Sequence, residues 1–191
     1  MTYHEPIEAL VEQRPLRLRI KEFELLEESG AFAEYVRAEL LNGEIWVVNA
    51  VHSRHAAVQA EVQGRLWSTL RAMGSPLRTY VTPTINVEND SRVEPDLAVA
   101  ERNEGGLLPA SDVKLAVEIS DTTLRTDVGA KKAIYAAACI REYWIFDVNG
   151  CVVHRMWSPA NGDYSHQQEI SFGSPLSAAT IDGLTIQTED L

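Results

Sequence analysis

The stretch Val113-Lys114-Leu115-Ala116-Val117-Glu118-Ile119-Ser120 decides the fold, because it reads as a buried strand that turns one charge inward. Successive side chains of a strand point to opposite faces, so residues two apart share one. Leu115, Val117 and Ile119 line one side, and Lys114, Ala116, Glu118 and Ser120 line the other. Glu118 therefore sits on a face cleared by the small residues Ala116 and Ser120, where a purely structural strand more often carries larger side chains. Upstream, Glu94-Pro95-Asp96-Leu97 opens a second such segment. Over Val93 to Ala100, Asp96 shares a face with Ala98 and Ala100, while Leu97 and Val99 take the other. Either carboxylate alone reads as a solvated turn residue. Two carboxylates together with a lysine are the minimum kit for binding a divalent cation and activating water beside a phosphate.

The residues after the strand supply that lysine. From Thr126 to Cys139 the sequence fits a helix, and at about 100° per residue Val128, Ile134, Tyr135, Ala138 and Cys139 fall on one arc. Lys131 lies in the middle of that arc and Lys132 toward its rim. A solvated position suits Lys132. An ammonium on an apolar stripe needs a carboxylate or a bound anion close by, or it loses its proton. Glu118, thirteen residues earlier, is the expected partner.

The N-terminal half repeats the pattern. Val58, Val62, Leu66, Leu70 and Met73 recur at helical spacing and predict a helix from about Ser53 to Met73. His55 projects from that stripe and His52 does not. A lone histidine on an apolar face is more often a satisfied core residue than a ligand. Ahead of the helix, Tyr35 to Ile45 reads as two strands turning at Asn42-Gly43, the strongest short hairpin signal, with Glu39 just before the turn.

The order of these segments carries a resemblance. The run from Glu39 through Asn42-Gly43 to His55, then Pro95-Asp96, Val117-Glu118-Ile119-Ser120, Asp127-Val128-Gly129-Ala130-Lys131 with Tyr135, and Arg141-Glu142-Tyr143-Trp144-Ile145-Phe146-Asp147 resembles the Uma-two family of restriction-endonuclease-like proteins. That family belongs to the PD-(D/E)xK nuclease superfamily. The resemblance implies an α/β (α+β) fold, a restriction-endonuclease-like core with a mixed central sheet flanked by helices in an αβββαβ order. It makes Asp96 and Glu118 metal-binding carboxylates, with Glu39 and His55 as supporting polar members of the site. In the plain superfamily motif the lysine stands two residues after the glutamate, where this chain has Ser120. The family resembled here supplies it from the following helix, and its Lys-xxx-Tyr pattern selects Lys131 with Tyr135. Cys139-Ile140 departs from the Gly-Val usual at that helix end, which bears on the local turn and not on the site.

Length and composition set the outer limits. At 191 residues with 45% hydrophobic content, the chain is expected to form a single domain over 1–191 with a sizeable core. Gly105-Gly106 marks a loop between two strands, and Ser158 to Asp163 a turn joining two late strands. No apolar run approaches the roughly 20 residues that span a bilayer, and the mixed, acidic Met1 to Glu12 does not read as a secretory signal. The expectation is a cytoplasmic protein with no membrane partner. Cys139 and Cys151 are too few for a disulfide framework, and Cys139 reads as a small helix-facing hydrophobe.

Charge weighs on any nucleic-acid reading. The net charge is −11, whereas proteins that grip duplex DNA present a basic face. Arg14, Arg17, Arg19 and Lys21 alternate with Leu16, Leu18 and Ile20 as one solvated strand face. Nucleic acid is then expected as a weakly held substrate, and the exposed late strands leave a homodimer open. Three readings follow. The first is a metal-dependent endonuclease in which Asp96, Glu118 and the Ile119 carbonyl hold Mg²⁺ or Mn²⁺ and Lys131 aids the attacking water or the phosphate. Oxygen donors and the lack of zinc-type Cys/His spacing favour these hard cations over Zn²⁺. The second is a non-catalytic acidic interaction module on the same fold. The third is an unrelated acid/base enzyme using Glu118 and His55.

Overall fold

The computed structural model describes residues 14–50, 52–87 and 90–191. In chain order its elements are α1 (Ile20–Glu28), β1 (Arg37–Leu41), β2 (Glu44–Val48), α2 (Ser53–Ala72), β3 (Arg78–Val81), β4 (Ile85–Val87), β5 (Ser91–Val93) and β6 (Leu97–Ala100). After a single 3-10 turn come β7 (Val113–Ser120), α3 (Leu124–Thr126), a π-helical turn (Asp127–Lys131), α4 (Lys132–Ala137), β8 (Glu142–Asp147), β9 (Val152–Ala160) and β10 (Asp163–Ser171). Two short strands, β11 (Leu176–Ser177) and β12 (Thr185–Ile186), close the described chain.

Asn-Gly turns set two of the hairpins. Asn42 and Gly43 hold φ of 50° and 79°, the doubly left-handed pair a two-residue turn needs to match strand twist, and Leu41 pairs with Glu44 across it. A Cβ on Gly43 would stand 2.7 Å from the Arg17 Cβ, so glycine is required there twice over. Asn161 and Gly162 repeat the geometry between β9 and β10.

A six-stranded sheet runs β10-β9-β8-β7-β6-β3, and a four-stranded sheet runs β2-β1-β5-β4. β7 and β8 are parallel and the other neighbours in the larger sheet are antiparallel. Parallel strands need a crossover rather than a tight turn, and residues 124–137 provide it. On one face Leu97, Val99, Leu115, Val117 and Ile119 pack against Val58, Val62, Leu66 and Leu70 of α2. On the other, Ala98 and Ala116 face Ile134 and Tyr135 of α4 and Leu41, Ile85 and Val93 of the smaller sheet. The mixed sheet flanked by helices is therefore the architecture that the sequence predicts. No helix among the described residues is long and apolar enough to cross a membrane.

Several expectations are corrected. Val93 to Ala100 is not one strand: Val93 ends β5 in the smaller sheet, and Glu94-Pro95-Asp96 carries the chain over to β6 in the larger. Proline removes a ladder donor, which is where the pairing breaks. Val128 is exposed and Asp127 buried, because the π turn is wider than an α turn and rotates the preceding residues by about one position. Cys139 does not face the helix. It is exposed and left-handed at φ 59°, and with Ile140 N–H bonding to the Tyr135 carbonyl and Cys139 N–H to that of Ala136 it forms a Schellman stop in the place glycine favours. Met73 lies past the last buried turn of α2 and is partly exposed.

The Arg14 to Lys21 alternation is also not a strand. Glu22 reaches back 2.8 Å to the Arg19 backbone N–H and opens α1 at Ile20, so Lys21 is helical while Arg17 pairs with Glu44 at 3.2 Å. Met1 to Glu12 lies outside the described residues.

Candidate active site

Three elements converge where the two sheets meet. β7 projects Glu118 on the same side as Ala116, and the π turn that follows aims Lys131 back at it. The Lys131 Nζ lies 2.9 Å from Glu118 Oε1 and 3.1 Å from Glu39 Oε2. Tyr135, one turn on, donates its hydroxyl to the same Glu118 oxygen at 2.7 Å. Glu118, Lys131 and Tyr135 are all buried. Among the described residues Glu118 Oε2 accepts no hydrogen bond.

Asp96 enters from the bend before β6. Its Oδ2 accepts from His55 Nε2 at 3.0 Å and from the Ile119 N–H at 2.8 Å. Arg37 stands 3.5 Å from its Oδ1. Gln59, one turn after His55, donates to the Asp96 carbonyl at 2.9 Å. Glu39 links the halves, since its Oε1 accepts the Glu94 N–H at 2.6 Å while its Oε2 meets Lys131. Asp96, Glu118, Lys131, Glu39, His55 and Ile119 all line one cleft of about 630 Å³, and Tyr135 buttresses its floor through Glu118.

Reading by residue type alone missed Arg37, Gln59, Glu94, Asp127 and the His52–Asp121 pair, held at 2.7 Å, all of which also line the cleft. A periodic signal was present for three of them. Arg37 stands two before Glu39 on one strand face, Gln59 four after His55, and Asp127 four before Lys131. For Asp121, which meets His52 across 69 residues of chain, there was none.

Charge in the cleft is unbalanced. Its lining holds Glu39, Glu94, Asp96, Glu118, Asp121 and Asp127 against Arg37 and Lys131, so carboxylates stay in excess even with both histidines charged. Burial pushes the Glu118 carboxyl well above the usual range, and the charges of Asp96, Asp127 and Glu39 push the same way against Lys131. Burial likewise raises Asp127 and Glu94. Burial would depress the Lys131 ammonium, but Glu118, Glu39 and Asp127 outweigh it and hold the proton on. For Asp96, too, burial is opposed and overcome: the His55 hydrogen bond and charge, Arg37 and the Ile119 N–H keep it below the usual range. Removing one partner from such a buried pair costs about 3–5 kcal/mol, because the other charge is stranded.

Fold and site together define a mixed-sheet α/β domain with an acidic, lysine-bearing cleft at the junction of its sheets. The chain belongs to the Uma2 family, described as "Putative restriction endonuclease", which matches residues 20–189. A solved structure from Anabaena variabilis, described as "a putative nuclease belonging to DUF820", is similar to it with a TM-score of 0.58 and 17% identity, covering 74% of this chain and 80% of that one. At that identity the likeness concerns the fold. No curated protein matches the chain.

Proposed function

We propose that this chain is a metal-dependent endonuclease that hydrolyses phosphodiester bonds in nucleic acid, DNA foremost. The observation that carries the reading is the meeting of Asp96, Glu118 and Lys131 in one cleft whose carboxylates outnumber its cations. Membership of a family described as "Putative restriction endonuclease" supports the same reaction class.

The donor set fits Mg²⁺ or Mn²⁺. Among the described residues no three His, Cys, Asp or Glu side chains form a cluster that could hold a metal, so two carboxylates, Asp96 and Glu118, would be completed by the Ile119 backbone carbonyl. All three are hard oxygen donors of the kind these cations take. When bound, the cation supplies positive charge that polarises phosphate oxygens and acidifies water. The chain's own residues do the rest. His55, Arg37 and the Ile119 N–H fix the Asp96 carboxylate in its ionised form. Tyr135 and Lys131 hold Glu118 by one oxygen and leave the other toward the cleft. Glu39 keeps Lys131 in place and charged, so that its ammonium can position the attacking water or stabilise negative charge developing on the phosphate.

The interaction-module reading keeps one observation in its favour, the net charge of −11. Two measurements separate the readings. Isothermal titration with Mg²⁺ and with Mn²⁺ is expected to show binding that disappears in Asp96→Ala with Glu118→Ala, and the parent chain is expected to cleave DNA or RNA only with metal present. Binding that survives the double substitution places the metal elsewhere. A parent chain that binds metal but cuts no nucleic acid turns the conclusion to the module.

A further inference from the structure

Trp46 stands beside this cluster and nothing in the proposed chemistry uses it. In the β1–β2 ladder Glu39 pairs with Trp46 and Arg37 with Val48. Directly opposed residues share a face with their Cβ atoms about 4.5–5.5 Å apart. The indole therefore begins one strand outside the carboxylate that holds Lys131. β2 is the outermost strand of the smaller sheet, so among the described residues no further strand covers it. Trp46 is 44% exposed and forms an apolar lip on a cleft that also carries six carboxylates.

The lip answers a difficulty in the nuclease reading. Grip on a duplex comes mainly from neutralising phosphates, and a chain of net charge −11 with six carboxylates in its cleft is poorly equipped for that. Base–aromatic stacking needs no net charge, tolerates any sequence, and requires a base free of its partner. The cleft volume of about 630 Å³ is that of a small-molecule pocket, commonly about 300–1,000 Å³, which suits an unpaired nucleotide and not a double helix. We propose that Trp46 is a stacking platform for a nucleobase next to the scissile phosphate, so that the substrate of this cleft is unpaired nucleic acid. The assignment rests on the phosphodiesterase reading.

The test uses the full chain with Ca²⁺ in place of Mg²⁺ and fluorescence anisotropy of three labelled oligonucleotides of equal length: a single strand, a blunt duplex, and a single strand made abasic at its centre. The single strand is expected to bind tighter than the other two. Trp46→Ala should weaken it by about five- to a hundredfold, the range for losing one stacked base, and Trp46→Phe should restore most of the loss. The abasic strand should not distinguish parent from Trp46→Ala. Trp67→Ala, which removes an exposed tryptophan of α2 outside the cleft, should change nothing, and thermal melts confirm folding. Equal affinity for duplex and single strand, or unchanged binding in Trp46→Ala, overturns the platform while leaving cleavage in Mg²⁺ to stand for the phosphodiesterase. A parent chain that neither binds nor cuts any of the three overturns both.

Discussion

Glu118 and Glu142 are buried glutamates on adjacent parallel strands, and they are satisfied in opposite ways. Glu142, on the α2 face of β8, accepts from Trp144 Nε1, the backbone N–H groups of Ala179 and Thr180, and the Thr180 hydroxyl, all within 2.7–2.9 Å. Neutral donors engage both its oxygens and tie the C-terminal segment to the sheet. Glu118, on the other face of β7, has one oxygen held by Lys131 and Tyr135, while burial first, and then the charges of Asp96, Asp127 and Glu39, raise its pKa. Burial alone therefore does not mark a site. What separates the two is unmatched charge beside an oxygen left without a partner among the described residues, an arrangement that their hydrogen bonding leaves incomplete.

The sharpest way to break this comparison is to make both groups neutral. Glu118→Gln is expected to lower cleavage at least a hundredfold with the fold intact, the scale of losing a group aimed at transition-state charge. Glu142→Gln should instead strand N–H donors and cost at least about 1–3 kcal/mol of stability, with activity per folded molecule unchanged. Denaturant melts and single-turnover cleavage on both proteins decide it. The reverse pattern would make Glu118 the clamp and Glu142 the working group.

The lysines offer the next test. Lys131→Met keeps the apolar stem and removes the charge, and activity is expected to fall roughly a hundredfold. Folding should survive, helped by proton uptake on Glu118, whose pKa already lies high. Lys132 pairs with Asp163 at 2.9 Å near the surface, where an ion pair contributes about 0–1 kcal/mol, so Lys132→Met should be close to neutral. Nuclease assays on the two variants, with circular dichroism as the check on folding, should differ by that factor. Equal activities remove Lys131 from the mechanism.

The smallest effect is thermal. Glu118, Glu94 and Asp127 have folded pKa values raised by burial, so their contribution to stability is complete below the unfolded carboxylate range and is lost as pH rises through the raised values. Asp96, held low, behaves oppositely: its contribution is present above its unfolded value and is lost as pH falls through the depressed one. A bound cation relieves the repulsion that the first three create on ionising. Saturating Mg²⁺ is thus expected to raise Tm by about 5–10 °C at pH 8 and by clearly less at pH 5. Scanning fluorimetry with and without Mg²⁺ at the two pH values reads the difference, and equal shifts would mean that the cation binds away from these groups.

Much of this was legible in the chain. Alternation fixed the inward face of Val113 to Ser120, the Asn-Gly pair fixed the β1–β2 hairpin, and helical spacing put Lys131 on a buried arc, because strand and helix periods are local properties that act within a few residues. The Glu118–Lys131 pair fell within reach of the same reasoning, since only thirteen residues separate strand from helix. Three features belonged to the tertiary structure alone. The exposure of Val128, which helical spacing puts on the inner arc, follows from a π turn that no 3.6-residue repeat encodes. The break at Glu94-Pro95 is set by two sheets competing for neighbouring residues. The approach of Glu39, Arg37 and Trp46 to the cluster depends on how the smaller sheet docks across the larger, with contacts such as Arg37 to Asp96 spanning 59 residues. Local pattern states which way a side chain points; which distant groups it meets is decided when the hydrophobic faces close on one another and bring their polar edges together.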